Sequence, residues 1–258
     1  VNKMKTTVTI VMPVFNSQDT IKKAIISIKK QSYRNWKLII IDDFSNDKTF
    51  QIAQKYKSKK IIVLKNKKNL GLTKTLNKII ANINTKYIAR MDGDDESLPK
   101  RLEKQIKFLN KNPDVSLLGC NANYFNYRKK FITKSKLPLS DLQIKKLIIR
   151  KNVFIHSSVI FKKKFYRTLK GYDNYFLNAQ DYDLWLRGRK KFIYANLPDC
   201  LLNHTIKQKI GLKKLAYGIL AMIKNISFDK YLLPSLFFIF LSIISIILRK
   251  FGIKGQAI

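Results

Sequence analysis

The chain has 258 residues, 46% of them apolar and 12% aromatic, enough to fill a sizeable core, which excludes a disordered protein. It sets 52 Lys and Arg against 16 Asp and Glu, a net charge of +36. A compositional bias toward Lys, Asn and Ile gives that figure as readily as attraction to lipid headgroups or nucleic acid. Cys120 and Cys200 have no partner spacing, which excludes a disulfide framework or zinc knuckle and fits a reducing compartment. The opening VNKMKTTVTIVMPVFN shows no signal-peptide pattern.

In chain order, VTIVM (8–12), stopped by Pro13, predicts a buried strand, and NSQD (16–19) offers caps for a helix. That helix carries Ile21, Ala24, Ile25 and Ile28 at i, i+3, i+4 and i+7. WKLIIIDD (36–43) predicts a second buried strand ending in Asp42 and Asp43. Ser45, Asn46 and Asp47 offer caps for a helix through Lys57, and IIVL (61–64) is a third strand. Asn69 to Gly71 turn into a helix with Leu72, Leu76, Ile79 and Ile80 on its apolar face. YIARM (87–91) is a fourth strand, followed after Pro99 by a helix (RLEKQIKFLN) and a strand (VSLLGC). Strand and helix alternating at this spacing predict an α/β protein, a doubly wound, mostly parallel sheet with ligands beyond the strands' carboxyl ends.

Two acidic spots fall at those ends. Asp42 and Asp43 form one; Asp92, Asp94, Asp95 and Glu96 form the other, a quarter of the 16 acidic residues in five positions. Such a cluster repels itself unless a cation sits in it. Asp92 and Asp94, separated by Gly93, can hold Mg²⁺ or Mn²⁺ while leaving positions open for a diphosphate.

Seven segments stand in order: PVFN (13–16), IIIDDFSND (39–47), Gly71, MDGDDESLP (91–99), HSS (156–158), GYDNYF (171–176) and AQDYDLWLRG (179–188). On these the chain resembles the inverting, GT-A-fold glycosyltransferases of family 2, typically bacterial enzymes that build surface polysaccharides. The resemblance runs from about Val8 to about Leu202. It implies a hexosyltransferase-type enzyme in which Pro13 and Phe15 line the nucleotide base, Asn16 belongs to the same loop, and Asp43 accepts from the base. It implies Asp92 near ribose and metal, Asp94 as metal ligand for Mn²⁺ or Mg²⁺, and Asp181 as the base that deprotonates the acceptor hydroxyl. A single displacement on an α-linked UDP-sugar then gives a β-glycoside. Trp185, His156 and Asp95 are secondary candidates on the acceptor side, each with a structural alternative: Trp185 in the core, His156 as a hydrogen-bonded loop residue. Asp183 is expected to be structural, and His204 receives no role. The chain departs from the pattern at Phe44 and Asn46, where glycine and threonine are usual, and at Gln180, usually glutamate. Thr205 and Lys207 stand where relatives carry an Arg and His pair that meets the diphosphate.

Near the end, YLLPSLFFIFLSIISIIL (231–248) is uncharged for 18 residues, about 27 Å as a helix. Before it, LKKLAYGILAMIKN carries a stripe of Leu212, Leu215, Ile219, Met222 and Ile223, the pattern of an interfacial helix. The expected organisation is a catalytic domain over 1–205, with nucleotide-binding residues 1–115 and a smaller mixed acceptor region 116–205, then a membrane-associating segment, 206–258. The expected partners are a nucleotide-sugar donor, a saccharide or lipid-linked acceptor and the cytoplasmic face of a bacterial inner membrane, with no nucleic acid. A processive synthase would show Q-x-x-R-W and several membrane helices, both missing here. A basic membrane- or nucleic-acid-binding protein without catalysis is the alternative, but it leaves the aspartate clusters unexplained.

Overall fold

The computed structural model describes residues 8–206 and 212–225 and, near the end of the chain, 236, 237, 239–241, 243 and 244. The first half alternates β1 (Val8–Val14), α1 (Ile21–Lys29), β2 (Trp36–Asp42), α2 (Thr49–Gln54), β3 (Ile61–Lys65), α3 (Leu72–Ala81) and β4 (Tyr87–Arg90). Then come β5 (Glu96–Ser97), α4 (Arg101–Lys111), β6 (Val115–Phe125), β7 (Phe131–Lys134), α5 (Asp141–Leu147) and a 3₁₀ turn at His156–Ser158. The described chain continues through β8 (Ile160–Lys162), α6 (Lys163–Thr168), α7 (Gln180–Gly188), β9 (Ile193–Thr205) and α8 (Leu212–Lys224).

All seven residues of β1 are buried because helices cover both faces of the sheet at its centre. The predicted stripe of α1, Ile21, Ala24, Ile25 and Ile28, is buried as a set; truncating any one of its isoleucines to Ala costs about 2–5 kcal/mol. The NSQD segment does not cap α1 through a side chain. Its donors and acceptors go instead to the loop after β2, described below.

The described strands form one sheet in the order β3-β2-β1-β4-β8-β6-β9-β5, with β7 on β6. β3, β2, β1 and β4 are parallel, as expected. Beyond β4 the sheet turns mixed: β8 pairs antiparallel with both β4 and β6, and β6 pairs parallel with β9. The strand VSLLGC therefore lies one place farther from β4 than simple double winding puts it. Ile160 and Phe161 of β8 are fully buried, and the short strand finds cover on both faces only between its two neighbours. This one sheet carries both regions separated in the sequence reading. β9 also closes on the far end, pairing Glu96 with Asn203 and Ser97 with Leu202, which brings residues 203–205 against the acidic turn.

α8 packs part of the predicted stripe into the domain. Ile219, Ala221 and Met222 are buried in the core that also holds Trp185 and Leu184 of α7, so part of the apolar stripe faces the domain; Ile223 remains 47% exposed. Among the described residues no helix is long and apolar enough to cross a membrane. The 231–248 segment lies mostly outside the described residues, as does Lys207.

Candidate active site

The carboxyl ends of β1 and β2 carry loops stitched together along their length. Asp43 N–H donates to the Val14 carbonyl (2.8 Å), Asn16 N–H to Ser45 Oγ (2.9 Å) and Asn46 N–H to Asn16 Oδ1 (3.0 Å). Ser17 N–H reaches Thr49 Oγ1 and Gln18 N–H reaches Asp47 Oδ2. Ser45, Asn46 and Asp47 thus join loops as well as leading into α2. Pro13 is buried within β1, while Phe15 is 46% and Phe44 43% exposed. Asn16 and Phe44 have φ of 45° and 66°; for Phe44 this explains the family's glycine at that position and costs roughly 1–2 kcal/mol.

Asp43 is almost wholly engaged within the protein. Its Oδ1 accepts from Asn66 Nδ2 (2.7 Å), Leu70 N–H (2.9 Å) and Thr75 Oγ1 (3.0 Å), and its Oδ2 from Gly71 N–H (2.8 Å). Only Oδ2 keeps acceptor capacity for a base. Gly71, at φ 79°, makes the turn that presents its N–H.

At the end of β4 the acidic turn packs on β1. A Cβ on Gly93 would lie 2.7 Å from Val14 Cγ1, so only glycine allows this approach. Part of the counter-charge is built in: Arg90 and Arg101, each 1% exposed, lie under the turn. Arg90 donates to Asp92 Oδ1 at 2.5 Å and Arg101 to the Arg90 carbonyl at 2.7 Å. Burial opposes ionisation of Asp92, but Arg90, His156 and His204 hold its carboxyl below the usual range.

Asp95 is 1% exposed; its Oδ2 accepts from Ser157 Oγ and His204 Nδ1 (2.8 Å) and its Oδ1 from Thr205 N–H (2.9 Å). It clasps β9 to the acidic turn, which removes it from the acceptor-side candidates. Burial works against a charged His204, yet the bond to Asp95 and the nearby Asp92 and Asp94 raise its pKa above the ordinary value. Lys129 joins the clasp, donating to the Asp94 carbonyl (3.2 Å) and to Thr205 Oγ1 (2.7 Å). Asp94 differs: among the described residues no neighbouring side chain donates to its carboxylate. Burial, then Asp92 and Asp95, push it up to about 6. Asp92, Asp94 and Asp95 each offer an oxygen within 4.8 Å of the others, an all-oxygen donor set suited to Mg²⁺ or Mn²⁺.

Asp181 sits in the first turn of α7, where the helix N-terminus favours a carboxylate. Asn152 Nδ2 donates to its Oδ2 at 2.8 Å, and Phe154 N–H donates to Asn152 Oδ1 at 3.1 Å, which fixes which way the amide faces. The buried Tyr172 hydroxyl lies in the fields of both Asp181 and Asp92 and is hydrogen-bonded to His156 Nε2 at 2.9 Å. Asp92 and Asp181 thus both act on the buried Tyr172, and Asp92 is near His156 as well.

Trp185 is fully buried, its ring stacked on Phe165 and edge-on to Phe154. It is a core residue and cannot stack on an acceptor sugar, because its neighbours occupy the ring faces. Asp183 is fully buried with Arg187 and Asn225 and is structural, as expected. Sequence reasoning missed Asn152, Tyr172, Lys129 and His204. The last two had a signal in their strand and turn positions opposite the acidic cluster, but only the pairing of β9 with β5 makes it readable.

Known proteins share the sequence pattern and the fold of this chain. A family model described as "Glycosyl transferase family 2" matches residues 9–169. The chain is 36% identical over 185 residues to EpsE of Bacillus subtilis, covering 70% of this chain and 66% of EpsE, just under two thirds of that relative's length. It is 35% identical over 222 residues to the O-antigen biosynthesis glycosyltransferase WbnJ of Escherichia coli, covering 81% of this chain and 84% of WbnJ. Among solved structures, S. aureus TarS 1–349 in complex with UDP-GlcNAc superposes with a TM-score of 0.71 at 16% identity, covering 92% of this chain and 71% of that one. The mannosyltransferase PcManGT of Pyrobaculum calidifontis, in complex with GDP-Man and Mn²⁺, gives 0.69 at 14% identity over 96% and 76%. At these identities the two structures establish a shared fold.

Proposed function

Because the chain belongs to glycosyl transferase family 2 and is a glycosyltransferase, we propose that it transfers a sugar from a UDP-sugar, with inversion, to a saccharide or lipid-linked saccharide in cell-surface polysaccharide synthesis. The observation that carries this reading is a pair of carboxylates with open acceptor capacity: Asp94 in the acidic turn, to which no neighbouring side chain among the described residues donates, and Asp181 at the start of α7, which accepts one bond, from Asn152. Phe15 and the free capacity of Asp43 Oδ2 face the donor's base. Asp92 and Asp94 would hold Mn²⁺ or Mg²⁺, which supplies neutralisation of the charge on the departing diphosphate. Asp181, oriented by Asn152, takes the proton of the acceptor hydroxyl. That oxygen attacks the anomeric carbon from the face opposite the nucleotide, the bond to the phosphate breaks, and the nucleoside diphosphate leaves with the electron pair. An α-linked donor yields a β-glycoside.

The naming of WbnJ for O-antigen biosynthesis, and of AmsE of Erwinia amylovora for amylovoran biosynthesis at 38% identity over 143 residues, supports a cell-surface saccharide as acceptor. The UDP-GlcNAc complex of TarS and the Mn²⁺ complex of PcManGT support the donor and ion classes. The charge of +36 and the uncharged 231–248 segment support work at the cytoplasmic face of the membrane. The test is UDP release from a panel of UDP-sugars with and without Mn²⁺, on wild type and Asp181→Asn. Turnover that needs the ion and falls at least about 10³-fold in Asp181→Asn, with donor affinity kept, is expected. Undiminished turnover in that variant would remove Asp181 as the base.

A further inference from the structure

Phe44 combines three properties that do not arise together by accident of packing. Its backbone stands at φ 66°, where a Cβ is strained. Its ring is 43% exposed, so the fold gains little apolar burial from it. Its position is fixed against Phe15: Asp43 N–H bonds the Val14 carbonyl and Asn16 N–H bonds Ser45 Oγ, so the residues on both sides of Phe44 are tied to the residues on both sides of Phe15. Two exposed aromatic residues thus follow the carboxyl ends of adjacent parallel strands on loops tied to each other, the place where open α/β sheets bind their ligands. Among the described residues no aromatic ring lies against Phe44. Lys65 Nζ lies over its ring, 5.7 Å from the centroid, and over the Phe50 ring at 5.1 Å, which leaves the other face of Phe44 for a ligand. Strain that neighbouring contacts enforce, at a residue whose side chain is left in solvent, is a mark of function when a ligand uses that side chain.

We propose that Phe44 is a second aromatic wall of the nucleobase slot, stacking on the donor's base together with Phe15. This rests on the nucleotide-sugar reading above and deepens it. The consequence is an affinity for the base that a glycine here cannot supply, since an aromatic face adds stacking to any base without reading its edge.

The test is calorimetric titration of UDP, GDP, ADP and inorganic pyrophosphate, each with Mn²⁺, into wild type, Phe44→Gly, Phe44→Asn and Phe44→Tyr. Gly and Asn both accept a positive φ, so both variants fold. In each, affinity for the nucleotide that wild type binds best is expected to fall about tenfold, with pyrophosphate, which has no base, unchanged. Phe44→Tyr keeps wild-type affinity within about twofold. Phe44→Gly holds its Tm or gains up to about 4 °C as strain is relieved. Wild-type nucleotide affinity in the Gly and Asn variants overturns the proposal, and so does a parallel loss of pyrophosphate binding or a lowered Tm, which would mark a structural role. If wild type binds no nucleotide at all, the donor reading itself falls and this inference with it.

Discussion

The two acidic strand ends use their carboxylates in opposite ways. At the end of β2, Asp43 receives four hydrogen bonds and holds Asn66, Leu70, Gly71 and Thr75 in place. At the end of β4, Asp95 receives three and ties β9 to the turn, while Asp94, one residue away, receives none from a neighbouring side chain among the described residues. Asp181 receives one. Acceptor capacity is the physical difference. A carboxylate whose lone pairs are filled by the protein builds structure, and one whose lone pairs stay open in a partly buried place is free to meet a cation or a proton.

The largest effect that would break this contrast is expected at Asp95. Asp95→Ala leaves Ser157, His204 and the Thr205 N–H without their buried acceptor, so it should cost about 3 kcal/mol of unfolding free energy in urea titrations. A loss below about 1 kcal/mol would show that β9 holds the acidic turn by its backbone pairing alone.

Asp94 comes next, and pH separates it. Its carboxyl is pushed up to about 6 from an unfolded value of 3.8, so the native state binds the proton more tightly than the unfolded chain. Ionisation of Asp94 therefore lowers stability as pH rises from about 4 to about 6 in ion-free protein, by on the order of 2 kcal/mol. Asp94→Asn should be equal to wild type near pH 4 and more stable than it at pH 7, and Mn²⁺ should close that gap by stabilising wild type only. Parallel pH profiles for the two proteins would place Asp94 among the structural carboxylates.

Much of the fold is legible because local periodicity and global burial agree. β1 and β2 read as apolar β-branched runs, and α1 shows its core stripe at helical spacing. β8 was illegible, since three residues carry no periodicity and their place is decided by which strands need a neighbour. At the site, the spacing of Asp92 and Asp94 was legible as a cation seat, which the acidic cluster fits, while Asp181 was legible only through the resemblance to the family. What surrounds them did not show, because Asn152, Tyr172, Lys129 and His204 reach the site through contacts between distant parts of the chain. Trp185 and the stripe of α8 were ambiguous for a related reason: an apolar or aromatic side chain looks the same in sequence whether it faces a ligand, a membrane or the core, and here the core holds Trp185, Ile219 and Met222.

The smallest predicted effect tests the chemical side of the contrast. Asn152 satisfies one oxygen of Asp181, and because Phe154 N–H holds the amide oxygen, the amide can present only its donors to the carboxylate. That leaves Oδ1 of Asp181 with no donor among the described residues, the atom that the proposed mechanism uses. Asn152→Ala lets the carboxylate rotate and should lower kcat about tenfold with the donor KM unchanged within about twofold. Asn152→Asp sets a second negative charge against the first, so the acid limb of its kcat profile should move to higher pH, a shift that a merely structural role would not produce. Equal losses in donor KM and kcat for the Ala variant would instead place Asn152 in the scaffold, alongside Asp43 and Asp95.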